Sequence, residues 1–184
     1  VYADCLPPHG VTLSAASGLP LTVTGRLTGG DFSLPGDVSS QFITGLLFVL
    51  PLLEGDSDLV LTSPLESRGY VDLTLDVLNK FGVTVDPREN GFHVPGGQKY
   101  RAGDLAIEAD WSQAAFWYAA NHLGGQVDIR GLDQSSRQGD REVAAYCRKL
   151  ARPGEVELDV SQCPDLVPPL AAIAAVRAGT TRLT

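Results

Sequence analysis

One pattern recurs in this chain and limits what it can fold into. An Asp, a small hydroxyl residue and a Gln precede an apolar stretch of helical length, which ends in a Gly turn and a strand-like run. The pattern occurs three times. Asp37-Val38-Ser39-Ser40-Gln41 leads into Phe42 to Leu50, Asp110-Trp111-Ser112-Gln113 into Ala114 to Ala120, and Asp159-Val160-Ser161-Gln162 into Leu166 to Val176. The spacing is too long for a small solenoid repeat and suits whole subdomains of βαβαββ type. The third start follows the second more closely than the second follows the first. About one hairpin of chain is therefore missing near Arg152-Pro153-Gly154.

Within this frame Leu21 to Thr24 and Phe32 to Leu34 alternate as strands, and Asp58 to Thr62 is a third. Val71, Leu75, Leu78 and Phe81 fall at helical spacing and predict an amphipathic helix over 70–81. Val83 to Val85 and Phe92 to Val94 are expected to pair around Asn90-Gly91. Further on, Val127 to Ile129 reads as a strand, Asp140 to Leu150 as an amphipathic helix and Glu155 to Val160 as a strand. The run from Thr180 to Thr184 opens another strand. The helices at 41–53 and 166–177 are apolar on nearly every side, so they are expected to be buried all round with the sheets outside.

Charge and cysteine usage remove several function classes. The chain has 184 residues, a net charge of −8 and a pI near 4.7, without a basic stripe. That disfavours nucleic acid and anionic membrane as partners, while a locally positive pocket for a small anion stays possible. Cys5, Cys147 and Cys163 form no CxxC pair, and His9, His93 and His122 are scattered, so structural zinc and a disulfide scaffold are both disfavoured. Reduced thiols fit the cytoplasm. The first residues are neither basic nor followed by the apolar stretch expected of a signal peptide, and the longest apolar run, Ile43 to Leu53, is too short to span a bilayer. The chain begins without Met and stops inside a strand-like run, which points to a piece of a longer protein.

Three stretches carry candidate chemistry, each with a plain structural alternative. Ser39-Ser40-Gln41 at a helix start can cradle an anion or simply cap the helix. Ser67, Arg68 and Tyr70 offer a hydroxyl, a guanidinium and a phenol at a second helix start; the alternative is a solvated loop whose Arg pairs with Glu66. Asp165, ahead of an apolar helix, can accept substrate hydroxyls or act as a base, or it can cap the helix. Asp140 reads as a cap, Cys147 as a packed thiol, and Trp111 and Trp117 as core or interdomain packing.

In series, Gly36-Asp37-Val38-Ser39-Ser40-Gln41-Phe42, Ser67-Arg68-Gly69-Tyr70-Val71-Asp72-Leu73-Thr74-Leu75, and Pro164-Asp165 resemble the 5-enolpyruvylshikimate-3-phosphate synthase (3-phosphoshikimate 1-carboxyvinyltransferase) family. The resemblance runs over nearly the whole chain, with the motifs in family order. It implies an α+β fold of repeated βαβαββ units in two enolpyruvyl transferase-like lobes, each incomplete in this chain. Residues 1–107 would form most of the shikimate-phosphate lobe and 108–184 the first part of the second. It also implies transfer of the enolpyruvyl group of phosphoenolpyruvate to the 5-hydroxyl of shikimate 3-phosphate, with no cofactor and no metal. By matching motif, Ser39, Ser40 and Ser67 would hold the shikimate phosphate and Gln41 and Tyr70 would line its pocket. Asp165 would bind the shikimate hydroxyls as the candidate base. The family's phosphoenolpyruvate-binding Lys, Arg and Glu motifs have no counterpart here, so the isolated chain is expected to be inactive. A monomeric full-length enzyme and a self-associating fragment are expected. The alternatives are a UDP-N-acetylglucosamine enolpyruvyl transferase-like enzyme, whose loop Cys has no match here, and a non-catalytic phosphosugar-binding module of the same repeat fold.

Overall fold

The structure, a computed structural model, describes residues 1–14 and 19–184. The fold is α+β and divides into two compact units. Val1–Glu66 with Val71–Asp104 form the first, and Ser67–Tyr70 with Leu105–Thr184 the second.

The first unit opens with a short helix, α1 (Tyr2–Cys5), and an antiparallel hairpin of β1 (Val11–Ser14) and β2 (Thr22–Gly25). Then follow β3 (Gly30–Leu34), α2 (Ser40–Val49), β4 (Ser57–Leu61), α3 (Arg68–Lys80, from Val71 onward in this unit), β5 (Asp86–Arg88) and β6 (Gly91–Val94). The sheet order is β3-β4-β6-β5, with β3 and β4 parallel and the other pairs antiparallel. Alternation along β3 sends Phe32 and Leu34 inward and Asp31 and Ser33 outward. On α2, Ile43, Leu46 and Leu47 form one stripe that joins them in a core with Leu59, Val71 and Leu78. Phe32 and Ile43 are wholly enclosed, and truncating either to Ala costs about 2–5 kcal/mol.

The second unit contains α4 (Trp111–His122), a 3-10 turn (Gly139–Glu142) running into α5 (Val143–Leu150), and β7 (Val156–Leu158). A 3-10 turn (Pro164–Leu166), α6 (Val167–Ala174) and β8 (Thr181–Leu183) complete it. β7 and β8 pair in parallel. Trp111, Val143, Leu150, Leu158, Leu170 and Ile173 form its core. Prolines at the start of α6 are tolerated because first-turn N–H groups have no helical partner.

Four sequence expectations need correction. α2 and α6 are not buried all round: α2 leaves Phe48 and Val49 exposed, and α6 buries only Pro169, Leu170 and Ile173. Their apolar character exceeds what the described residues cover. The hairpin arm lies at Asp86–Arg88, not at Val83 to Val85, because the Thr84 backbone is held by one side chain. Its N–H donates to Gln98 Oε1 and its carbonyl accepts from Gln98 Nε2, both at 2.8 Å. Pro87 is tolerated because β5 is the sheet edge. Residues 127–129 form no strand; Asn121 pairs with both backbone groups of Val127 at 2.7 and 2.8 Å. Trp117 is 54% exposed, whereas Trp111 is enclosed and donates its indole N–H to the Asp133 carbonyl at 3.0 Å.

Candidate functional site

In the first unit the site begins at the start of α2. Ser39 is the N-cap, and its Oγ accepts the Gln41 N–H at 3.2 Å. The cap uses a lone pair, so the hydroxyl proton is not consumed by it. The approach to the helix is fixed by a relay. The Gly36 N–H donates to Ser63 Oγ at 2.9 Å, and Ser63 donates to Asp37 Oδ1 at 2.6 Å. A side chain on Gly36 would meet the Ser63 and Pro64 carbonyls at 2.8 Å, so the close approach requires glycine. No acidic residue lies in the first turn of α2, which suits an anion at its positive end. Ser39 and Ser40 are half-buried and Gln41 is exposed.

In the second unit residues 67–70 are clamped. Ser67 has φ of 52°, the left-handed region that non-glycine residues rarely occupy. The Arg68 N–H donates to Gln162 Oε1 at 3.1 Å. A side chain on Gly69 would meet the Arg137 carbonyl at 2.5 Å. The Tyr70 hydroxyl donates to Asp140 Oδ2, and the Ser112 hydroxyl donates to the same oxygen. Burial pushes the Tyr70 phenol well above its ordinary range, and the carboxylates of Asp140 and Asp165 add to the effect.

Asp165 is exposed, and no side chain caps the 3-10 turn it sits in or α6. Its capping alternative is therefore not realised. Asp140 is not a cap either. It is fully buried, the 3-10 turn containing it has no side-chain cap, and its Oδ2 accepts from Tyr70 and Ser112 while its Oδ1 is buried without a hydrogen-bond partner. Nearby, Arg137, Arg141, Glu142, Tyr146, Gln162 and Cys163 line a cavity of about 330 Å³. Burial and surrounding acids push the Tyr146 phenol up to about 12 and the Cys163 thiol up to about 11. Burial also raises the Cys147 thiol, consistent with packing. Among the described residues no cluster of His, Cys, Asp and Glu could hold a metal ion.

Ser39, Ser40 and Gln41 thus lie in the first unit, and Ser67, Tyr70 and Asp165 in the second, where Tyr70 and Asp165 interact electrostatically. Sequence reasoning missed Asp140, Ser112 and Gln162. The repeated pattern contained Ser112 and Gln162, yet its three copies do different work. Ser39 caps α2, Asp110 caps α4 by accepting the Gln113 N–H at 3.1 Å, and Asp159 closes a turn on the Ser161 N–H at 3.0 Å.

A family model described as EPSP synthase (3-phosphoshikimate 1-carboxyvinyltransferase) matches residues 3–184. The 3-phosphoshikimate 1-carboxyvinyltransferase of Clostridium kluyveri is 45% identical over 200 aligned positions, covering 100% of this chain and 47% of its own length. That of Methanocorpusculum labreanum is 38% identical over 196 positions, covering 98% and 46%. Among solved structures, EPSP synthase from Acinetobacter baumannii superposes with a TM-score of 0.69 at 20% identity, covering 97% of this chain and 46% of that one. The enolpyruvyl transferase NikO from Streptomyces tendae gives 0.63 at 16%, covering 99% and 51%. Both show a shared fold. The chain spans about half the length of the curated relatives it matches.

Proposed function

The chain belongs to the EPSP synthase (3-phosphoshikimate 1-carboxyvinyltransferase) family, and on that premise we propose that it supplies the shikimate 3-phosphate site of an enolpyruvyl transferase. The parent reaction joins the 5-hydroxyl oxygen of shikimate 3-phosphate to the central carbon of phosphoenolpyruvate as the methylene carbon takes up a proton, and then expels phosphate from the tetrahedral adduct as the resulting methyl gives a proton up and the double bond re-forms. In this reading residues 1–107 belong to the phosphate-binding lobe and 108–184 to the second, both built from βαβαββ units. Ser39, Ser40 and Ser67 hold the phosphate, Gln41 and Tyr70 contact the bound ligand, and Asp165 receives the proton of the attacking hydroxyl.

The observation that carries this reading is an unspent carboxylate. Asp165 is exposed, caps no helix and acts on the Tyr70 phenol. A carboxylate within electrostatic reach of a fixed phenol suits a polyol whose hydroxyl must lose a proton. The Ser39 hydroxyl at the start of α2 suits an anion. The proposed setting is the cytoplasm, in keeping with three free thiols. No helix among the described residues is long and apolar enough to cross a membrane.

Isothermal calorimetry of the chain with shikimate 3-phosphate tests the reading. Binding that Ser39→Ala and Ser67→Ala each weaken about tenfold is the expected result. No heat with shikimate 3-phosphate, or equal binding of UDP-N-acetylglucosamine, would overturn it.

A further inference from the structure

The cavity beside the start of α5 lies wholly in the second unit, and none of Ser39, Ser40, Gln41, Ser67, Tyr70 and Asp165 lines it. At about 330 Å³ it stands at the small end of ligand-sized cavities. The charged residues that line it, Arg137, Arg141, Glu142 and Asp159, are exposed, whereas Gln138 and Cys163 are buried and Tyr146 is half-buried. Its rim is therefore charged and its floor is not. The Gln138 amide is engaged elsewhere in the unit: its oxygen accepts the Trp111 N–H at 2.8 Å and its nitrogen donates to the Ala109 carbonyl at 3.0 Å. The Tyr146 hydroxyl donates to the Asp159 carbonyl at 2.5 Å. The Cys163 thiol, pushed up to about 11 by burial, keeps its proton at neutral pH. The floor thus offers a polarisable sulfur and a ring to an uncharged group.

The rim carries both signs of charge, and they are not spent on each other. The Ser161 N–H and hydroxyl hold the Asp159 carboxyl below its ordinary range. Glu142 and Asp159 both act on the Tyr146 phenol and the Cys163 thiol, which places the two carboxylates on one side. Arg141 is fixed, its Nη1 donating to the carbonyls of Ser136 at 2.8 Å and Gln134 at 3.3 Å. A guanidinium keeps further N–H donors beyond these, suited to a carboxylate. Among the described residues Arg141 forms no ion pair with Glu142 or Asp159. Arg137 adds positive charge to the same lining. A ligand with a single net charge is opposed by one part of this rim, whereas a ligand that carries both signs finds a partner for each. We propose that the cavity binds a small zwitterion, a free α-amino acid whose carboxylate meets Arg141, whose ammonium meets Glu142 and Asp159, and whose uncharged side chain enters toward Cys163.

The test compares L-leucine with its two halves, 3-methylbutylamine and 4-methylpentanoate, by calorimetry at neutral pH. The unaltered chain should bind L-leucine, and each half at least about tenfold more weakly. Arg141→Gln should bind L-leucine no better than the amine, and Glu142→Gln should weaken L-leucine while leaving 4-methylpentanoate unchanged or tighter. No heat with L-leucine overturns the proposal, as does a half that binds as tightly as the whole, or an Arg141→Gln variant that still prefers L-leucine to the amine. A second measurement needs no variant. Saturating L-leucine should slow alkylation of Cys163 in the unaltered chain several-fold, read by mass spectrometry, and leave Cys5 in the first unit unaffected. Equal slowing of both thiols, or none at Cys163, overturns the placement even if Arg141→Gln does not fold.

Discussion

Gln162 Oε1 accepts the backbone N–H of Arg68 at 3.1 Å, joining the turn before Asp165 to the first turn of α3. A side chain distant in sequence does here what a local cap does elsewhere. Gln162→Ala should therefore destabilise the fold by about 1 kcal/mol, lowering the melting temperature by about 2–4 °C. It should also weaken shikimate 3-phosphate several-fold, since Ser67 and Tyr70 share the loosened turn. Gln162→Glu keeps an acceptor and should keep the melting temperature. Melting and calorimetry on both variants check this.

Ser67 separates strain from binding. Its φ of 52° is unfavourable for any residue with a Cβ. Ser67→Gly should raise stability by about 1 kcal/mol while losing the hydroxyl, and Ser67→Ala should lose the hydroxyl without that gain. Both should weaken shikimate 3-phosphate alike. If Ser67→Gly melts no higher than Ser67→Ala, the backbone is not strained as described.

Cys163 gives the fold a limit in alkali. Burial, with Asp140, Glu142 and Asp159 nearby, raises its thiol from 9.0 to about 11. Above pH 9.0 the unfolded chain sheds this proton while the folded chain keeps it. The unfolded state then binds fewer protons, so stability falls as pH rises. The contribution is complete below pH 9.0 and is lost as pH climbs through about 11. Cys163→Ser should flatten that decline in melts taken across the window. Alkylation of Cys163 should be slow at neutral pH and accelerate toward the same limit.

The exposed rings of α4 bear on association. Phe116 and Trp117 are 51% and 54% exposed, adjacent on one helix, and large apolar side chains grouped on a surface favour contact between molecules. The chain is expected to self-associate at high concentration, and Phe116→Glu with Trp117→Lys should return it to monomer. Light scattering reads the difference. A double variant that associates as the unaltered chain does would exclude this face.

Legibility followed how local each determinant is. The helix of α3 was readable because Val71, Leu75, Leu78 and Phe81 fall near helical spacing, and Val71 and Leu78 of these are buried. The Ser39 cap was readable because capping is a contact between near neighbours. Residues 83–85 and 127–129 misled because β-prone side chains say nothing of where backbone groups find partners. Gln98 and Asn121 each supply a donor and an acceptor from one amide and take the place of a neighbouring strand. Asp140 was opaque for the same reason. A carboxylate after Gln138-Gly139 looks like a cap until the fold brings Tyr70 and Ser112 onto it. β1 was missed altogether, since Val11 to Ser14 is short and only Val11 is buried.

The last prediction separates binding from chemistry. Ser39, Ser40, Gln41, Ser67 and Tyr70 sit at the starts of α2 and α3, and helix starts can hold a phosphate through backbone N–H groups without distant residues. Enolpyruvyl transfer asks for more. Phosphoenolpyruvate must be held against the attacking hydroxyl, and cations must stabilise charge that develops on its carboxylate and phosphate. The family motifs that resemblance assigns to that task have no counterpart among these 184 residues, which match 47% of the Clostridium kluyveri relative. The isolated chain should therefore bind shikimate 3-phosphate weakly and release no phosphate from phosphoenolpyruvate. Asp165→Asn should change that binding less than about tenfold, because a hydroxyl can still meet the amide oxygen. In an enzyme of the relatives' full length the same substitution should abolish turnover while leaving substrate binding largely intact, the signature of a group needed at the transition state. Calorimetry and a phosphate-release assay on both lengths read the two halves. Steady phosphate release by the 184-residue chain alone would show that the cationic groups lie within it.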